Sequence, residues 1–512
     1  MKRVLRFLFS KTFLFALMII VQVTFFAFLI IYFSDAGTVL YTVITLISLL
    51  ILVAVVEHDD INPAYRLMWV VIVIGLPVTG TIFYLWWGSR SVQQKNSEKF
   101  SAIERAARTA LVQDDEAPRA LTASDPTLRR NVDYLASFAG APLYGGTRSE
   151  YFPLGELFFK RLIQELKKAK HSIYMEYFII EEGWMWGETL GVLKEKAAAG
   201  VDVRLIYDAF GSMFTLPDGY DAQLRAAGIK CLVFNPIRFS LHVSDYKMLN
   251  HRDHRKLTVI DGETGFTGGL NMADEYVNRK LRFGQWKDTG LMLKGPAVYS
   301  LTVTFLKMWD YIAGTQTKYA DFPSPAPHLA DGWVQPYCDS PLDDENVSEN
   351  AYLNVLRRAE RYVYITTPYL IIDHEMMSTL RLAAKSGVDI RLLTPGIPDK
   401  KYVYAVTRSY YKPLLEAGVR IFEYTPGFVH AKMYVSDDKE AIVGSANMDY
   451  RSLYLHFENC CAFYGGHMVR NVRDDLVDSF AKSREVTLDD VRHVSLPNFL
   501  LVLLLRLFSP LM

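Results

Sequence analysis

The sequence predicts an α/β protein of two similar lobes from an internal duplication, with the active site between them and N-terminal transmembrane helices in front. Three observations carry this reading. A pattern of His-x-Lys-x-x-x-x-Asp, two small residues, a spacer and Asn occurs twice: His254, Lys256, Asp261, Gly268, Gly269, Asn271, then His430, Lys432, Asp437, Gly444, Ser445, Asn447. The segments upstream repeat too, GVDVRLIY matching GVDIRLLT and AAGIKCLVF matching EAGVRIFEY. The N-terminal end holds three long apolar runs.

Those runs come first in the chain. Thr12–Phe33, Ala36–Val56 and Leu67–Trp87 each have about the length that crosses a bilayer as a helix. Trp69, Trp86 and Trp87 lie near the ends of the third, where interfacial aromatics belong. A cleaved secretory signal fits the first run less well, because the apolar stretch is long and another follows at once. Lys2, Arg3, Arg6 and Lys11 favour an inside N-terminus; the sidedness of the catalytic part stays open. The expected layout is a membrane region over 1–90 with two or three spans, a linker over 91–130, a first lobe over 131–325, a second over 326–495 and an apolar C-terminal surface helix over 496–512.

Within the lobes, helix and strand alternate in the same order twice. Leu157–Ala169 reads as helix, Ser172–Ile180 as strand, Trp186–Ala199 as helix, and two strands lead to the first motif. Asn350–Ala359, Tyr362–Leu370 and His374–Ser386 repeat that sequence of elements before the second. The tail LPNFLLVLLLRLFSPLM is too short to span and is interrupted by Arg506, which suits a helix lying on a membrane surface.

Composition narrows the function. The chain has 512 residues, 50% of them hydrophobic, with 56 basic and 56 acidic side chains. A neutral balance argues against a general nucleic-acid binder. Cys231, Cys338, Cys460 and Cys461 lack zinc-type spacing and read as buried thiols.

The motifs carry the chemistry. On a strand, His and Lys two residues apart face the same side. A neutral imidazole can attack phosphorus and an imidazolium can protonate a leaving oxygen. Lys256, Lys432, Asn271 and Asn447 can hold phosphoryl oxygens. A carboxylate normally fixes the tautomer of such a His. Asp288 in GQWKDTG and Glu458 in LHFEN are the candidates, with Glu275 weaker. Asp261 and Asp437 fall on the opposite strand face, so they are expected to support structure.

These residues resemble the twin HKD motifs of the phospholipase D superfamily. TPYL (Thr367 to Leu370), GFVHAK, GSANMDYRS and NHRDHRKLTVIDG resemble bacterial cardiolipin synthases, as do NPAYRLMWVVIVIGLPVTGTIFYLWWG and the Ser-Pro-Leu tail. The likeness runs over nearly the whole chain. It implies two phospholipase D-like lobes and a multi-pass enzyme of the bacterial cytoplasmic membrane. It implies phosphatidyl transfer between two phosphatidylglycerol molecules, giving cardiolipin and glycerol without cofactor or metal. His254 would form a phosphatidyl-histidine and His430, initially protonated, would act as acid and then base. Gly290 departs from the family pattern, which often has His after Asp-Thr. His456 departs where Asn commonly precedes Phe-Glu. His251 and His242 read as cleft or loop residues. A membrane phospholipase D, a phosphatidyltransferase with another acceptor or donor, and a non-catalytic phospholipid-binding scaffold are the alternatives.

Overall fold

A computed structural model describes residues 20, 24, 28, 34–57, 62–85, 94–236, 250–322, 324–492 and 495–511. All of the first apolar run but three positions, with Trp86, Trp87 and His242, lies outside the described residues. The described chain forms two compact units, one holding the N-terminal helices and Leu503–Leu511, the other the described residues between Ser97 and Val502.

In the first unit the second apolar run forms the helix Ser34–Glu57. The third was expected as one span and is instead two helices, Pro63–Gly75 and Pro77–Phe83. Pro77 is the reason. It lacks an N–H and forces the preceding residue out of helical conformation, and Leu76 sits at φ −135°, ψ 71°. The bend is sharp enough to bring Gly80 onto Ile72, where an added Cβ would stand 2.5 Å from the Ile72 carbonyl oxygen. Ser48 ties the bend to the first helix through Pro77 O (2.8 Å) and the Thr81 hydroxyl (2.9 Å). Among the described residues no helix is long and apolar enough to cross a membrane.

The second unit contains both lobes. The first has strands β1 (Arg148–Phe152), β2 (Ser172–Tyr177), β3 (Asp202–Asp208), β4 (Lys230–Phe234), β5 (Arg252–Asp253), β6 (Lys256–Ile260), β7 (Thr264–Gly268), β8 (Gln285–Lys287) and β9 (Gly290–Lys294). The second has β10 (Trp333–Asp339), β11 (Tyr362–Thr366), β12 (Leu370–Ile371), β13 (Asp389–Pro395), β14 (Arg420–Tyr424), β15 (Gly427–Val429), β16 (Met433–Ser436), β17 (Glu440–Gly444), β18 (Met448–Asp449), β19 (His456–Tyr464) and β20 (Ser483–Val486). The sheet orders are β1-β9-β7-β6-β2-β3-β4 and β10-β19-β17-β16-β11-β13-β14-β20. Position for position the first seven strands correspond, so the duplication visible in sequence is also one of topology.

Alternation explains how each sheet is covered. In β2, Ile173, Met175 and Tyr177 join the core that includes Phe158, Leu162 and Leu166 of the helix Gly155–Leu166. Tyr174 points the other way and stacks on Phe305 of the helix Val298–Ala313, ring centroids 5.0 Å apart. The stretch expected as linker is partly helical: Glu116–Ser124 buries Ala117, Pro118 and Leu121. Phe100 sets its ring against Tyr311 (5.6 Å) and Phe457 (5.3 Å). The few apolar positions here are too sparse to signal burial in sequence. The C-terminal helix Leu496–Leu507 has 12 residues, about 18 Å, and exposes Leu496, Phe499, Leu500, Leu501, Leu503 and Leu504.

Candidate active site

The site is built where the two lobes exchange short strands. β5, just before His254, pairs with β19 of the second lobe, Arg252 opposite His456 and Asp253 opposite Phe457. β15, just before His430, pairs with β8 of the first lobe, ending with Val429 opposite Lys287. Each His is then pinned by one more cross-lobe bond: His254 N donates to Phe457 O (3.0 Å) and His430 N to Lys287 O (2.7 Å). The expectation that His and Lys share a regular strand is corrected here. His254, His430 and Lys432 lie in extended backbone ahead of β6 and β16, because these segments pair across the lobes before joining their own sheets.

The acids cross as well. His254 Nδ1 lies 2.8 Å from Glu458 Oε1 and 3.1 Å from Oε2, while His430 Nδ1 lies 2.7 Å from Asp288 Oδ2. Each lobe therefore supplies the carboxylate that orients the other lobe's imidazole through Nδ1. Both carboxylates are fully buried. Ser445 and Ser452 donate hydroxyl bonds to Glu458, and Thr289 N donates to Asp288 Oδ1 (2.8 Å). The difference between Gly269 and Ser445 at matching positions follows from the acids they face. A Cβ on Gly269 would stand 2.1 Å from Asp288 Oδ1, whereas Ser445 places its hydroxyl on Glu458.

The family model described as "Cardiolipin synthase, PLD-like domain" matches residues 162–309 and 352–478, more than half of the chain. This chain belongs to the cardiolipin synthase family. A cardiolipin synthase of Geobacillus kaustophilus is 35% identical over 442 residues, covering 86% of this chain and 87% of the relative. An uncharacterized protein of Streptococcus mutans is 41% identical over 456 residues, 87% of this chain and 96% of the relative. A solved phosphatidylserine synthase from Haemophilus influenzae shares the fold at TM-score 0.58 and 13% identity, over 75% of this chain and 99% of that one.

The remaining site residues take distinct places in this cardiolipin synthase fold. Lys256 and Lys432 donate to the carbonyls of His254 and His430, and Lys432 Nζ is also 2.8 Å from His430 Nδ1 and 3.1 Å from Nε2. Burial lowers Lys256 to about 7 and Lys432 to about 8, against the pull of Glu458 and Asp288. Burial, then Lys432, lowers His430 to about 4; burial, then Lys256 and Lys432, holds His254 well below its ordinary value. Burial alone would raise Asp288, but His430 and Lys432 outweigh it and keep the carboxyl low.

Asn271 is committed within its lobe, accepting from Ile179 N (3.0 Å) and donating to the Tyr276 hydroxyl (2.6 Å). Asn447 donates to Asp449 Oδ2 (3.1 Å) and leaves its buried Oδ1 without a hydrogen bond. Asp261 and Asp437 stand away from the imidazoles. Asp261 accepts from the N–H groups of Lys170, His171 and Ser172, and Asp437 from those of Glu360, Arg361 and Tyr362. Each thus clamps the start of β2 or β11, at φ 54° and 55° in the left-handed region that Asp tolerates. Glu275 orients no imidazole; it sits in the turn Asp274–Val277, 3.6 Å from Arg282.

One feature escaped sequence reasoning. Arg255 pairs with Glu176 (2.7 Å) and Asp253 (3.1 Å), and Arg252 lies 3.5 Å from Asp208, so buried ion pairs brace both sides of His254. The density of charge in NHRDHRK directly before a buried strand was the signal. Gly290 has no room for a larger residue, since Phe158 atoms would lie 2.2 Å from its Cβ. His456 is buried beside His254, ring centroids 5.3 Å apart.

Proposed function

We infer that this protein transfers a phosphatidyl group between two phosphatidylglycerol molecules, giving cardiolipin and glycerol. The observation that carries the reading is the reciprocal pairing of His254 with Glu458 and His430 with Asp288, beside two buried lysines. His254 Nε2 attacks phosphorus and the bond to the departing glycerol oxygen breaks, while His430 gives that oxygen its proton. The hydroxyl of a second phosphatidylglycerol then passes its proton to His430 and attacks phosphorus, displacing His254. Lys256 and Lys432 balance the phosphoryl charge. The lowered values of Lys256, Lys432 and His430 describe the substrate-free cleft; an entering phosphodiester anion favours the charged forms of all three. Asn271 and Asn447 support the phosphate cradle, and Asp261 and Asp437 hold the strands that frame it.

The apolar surface of the N-terminal unit supports a membrane setting. Val39, Val43, Leu46, Leu50, Val53 and Val56 are exposed on one helix and Leu67, Val71 and Ile74 on the next. A patch of this size suits lipid rather than water. We place the enzyme at the bacterial cytoplasmic membrane, anchored by this region.

Purified protein in phosphatidylglycerol vesicles without divalent metal, followed by lipid mass spectrometry, tests the reaction. Cardiolipin from wild type and none from His254→Ala or His430→Ala is the expected result. Phosphatidic acid in its place means that water is the acceptor and the protein is a phospholipase D.

A further inference from the structure

One buried group beside the nucleophile has no part in the transfer. His456 opens β19 two residues before Glu458, and its side chain is only 7% exposed. Among the described residues neither ring nitrogen has a hydrogen-bond partner. Its Nδ1 lies 3.7 Å from Glu458 Oε1, beyond hydrogen-bond range. One ligand atom each from His254, His456 and Glu458 can be chosen so that all three lie within 4.8 Å of one another. Two imidazoles and a carboxylate are a donor set that suits Zn²⁺, with a fourth position left for water.

We propose that His254, His456 and Glu458 form an inhibitory site for Zn²⁺ or an ion of similar chemistry. Binding itself follows from the three donors; the inhibition rests on reading His254 as nucleophile. A metal taking His254 Nε2 blocks the attacking atom outright. A metal inserted between Nδ1 and Glu458 displaces the Nδ1 proton, and the neutral ring then carries its proton on Nε2, whose lone pair is lost. Both geometries silence His254. The hydroxyls of Ser445 and Ser452 hold the Glu458 carboxylate in place for either one. Lys256 and Lys432 oppose any cation here. The site therefore selects ions that gain most from imidazole bonding, Zn²⁺ and Co²⁺, over Mg²⁺ and Ca²⁺.

The test uses the full chain in neutral detergent, free of anionic lipid. Co²⁺ is titrated with visible absorption as the readout, and Zn²⁺ by calorimetry. The expected result is one equivalent bound by wild type with a tetrahedral Co²⁺ band, and loss of that band in His456→Asn and His456→Gln. In turnover assays, both variants retain metal-free activity and need at least roughly tenfold more Zn²⁺ for half-inhibition. No band in wild type, or an unchanged band in both variants, overturns the site. A band with Zn²⁺ inhibition unchanged in the variants overturns the inhibitory role. Because the absorption is read without turnover, an enzyme inactive on phosphatidylglycerol still reports on the metal site.

Discussion

At the scale of single residues, the exchange of carboxylates between lobes makes sharp demands. Glu458→Gln should lower kcat about 10²–10⁴-fold, because an amide cannot hold His254 in the tautomer that attacks. Folding should be preserved by circular dichroism, since the two side chains are nearly isosteric. Gly269→Ala should cost as much as Asp288→Asn, since the new methyl occupies the place of Asp288 Oδ1, whereas Ser445→Ala leaves Glu458 its other hydroxyl bond and should cost far less. Steady-state kinetics of the three variants separates these cases. The pH profile follows from the buried cations. Burial lowers Lys432 to about 8 and Lys256 to about 7. Lowered lysine values mean cations present below these points and lost above them, so kcat/KM should fall as pH rises through about 7 to 8. The acid limb should lie well below 6.5, because His254 is held neutral there. A basic limb near pH 10 would contradict this account.

At the scale of elements, Asp261 and Asp437 are the parts whose loss should register as stability. Each carboxylate satisfies three backbone N–H groups at the start of a central strand. Asp437→Ala should destabilise the second lobe by about 2 kcal/mol, with water replacing part of the lost bonding. Thermal unfolding would show it, and Asp437→Asn should be milder. Sequence made much of this level legible. The strands GVDVRLIYD and GVDIRLLTP are apolar runs with turn signals at both ends, and they emerge as β3 and β13, each two residues shorter. The pairing of β5 with β19 and β15 with β8 was not legible. β5, β8 and β15 are two or three residues long, with no periodicity to read, and their partners lie far away in sequence. For the same reason Asp288 and Glu458 were identifiable as acids after each motif, but not as servants of the opposite motif. The break at Leu76 was written in the sequence as Leu-Pro, and the apolar run around it concealed the signal.

At the scale of the whole molecule, the N-terminal unit predicts a partition. Its exposed valines and leucines should make the protein float with phosphatidylglycerol liposomes in a sucrose gradient. Replacing Leu46 and Leu50 with Asp should weaken that association while leaving the spectroscopic signature of the lobes unchanged. The two lobes, by contrast, cannot be considered one at a time, since each motif imidazole is paired with a carboxylate of the other lobe. Protein synthesis gives this a timing. A ribosome that has finished the first lobe has released His254 without its acid. It has released Asp288 before the imidazole that Asp288 serves exists. Only when β19 has left the exit tunnel and docked does either half become competent. A nascent chain thus stays chemically silent towards phospholipid until it is almost complete.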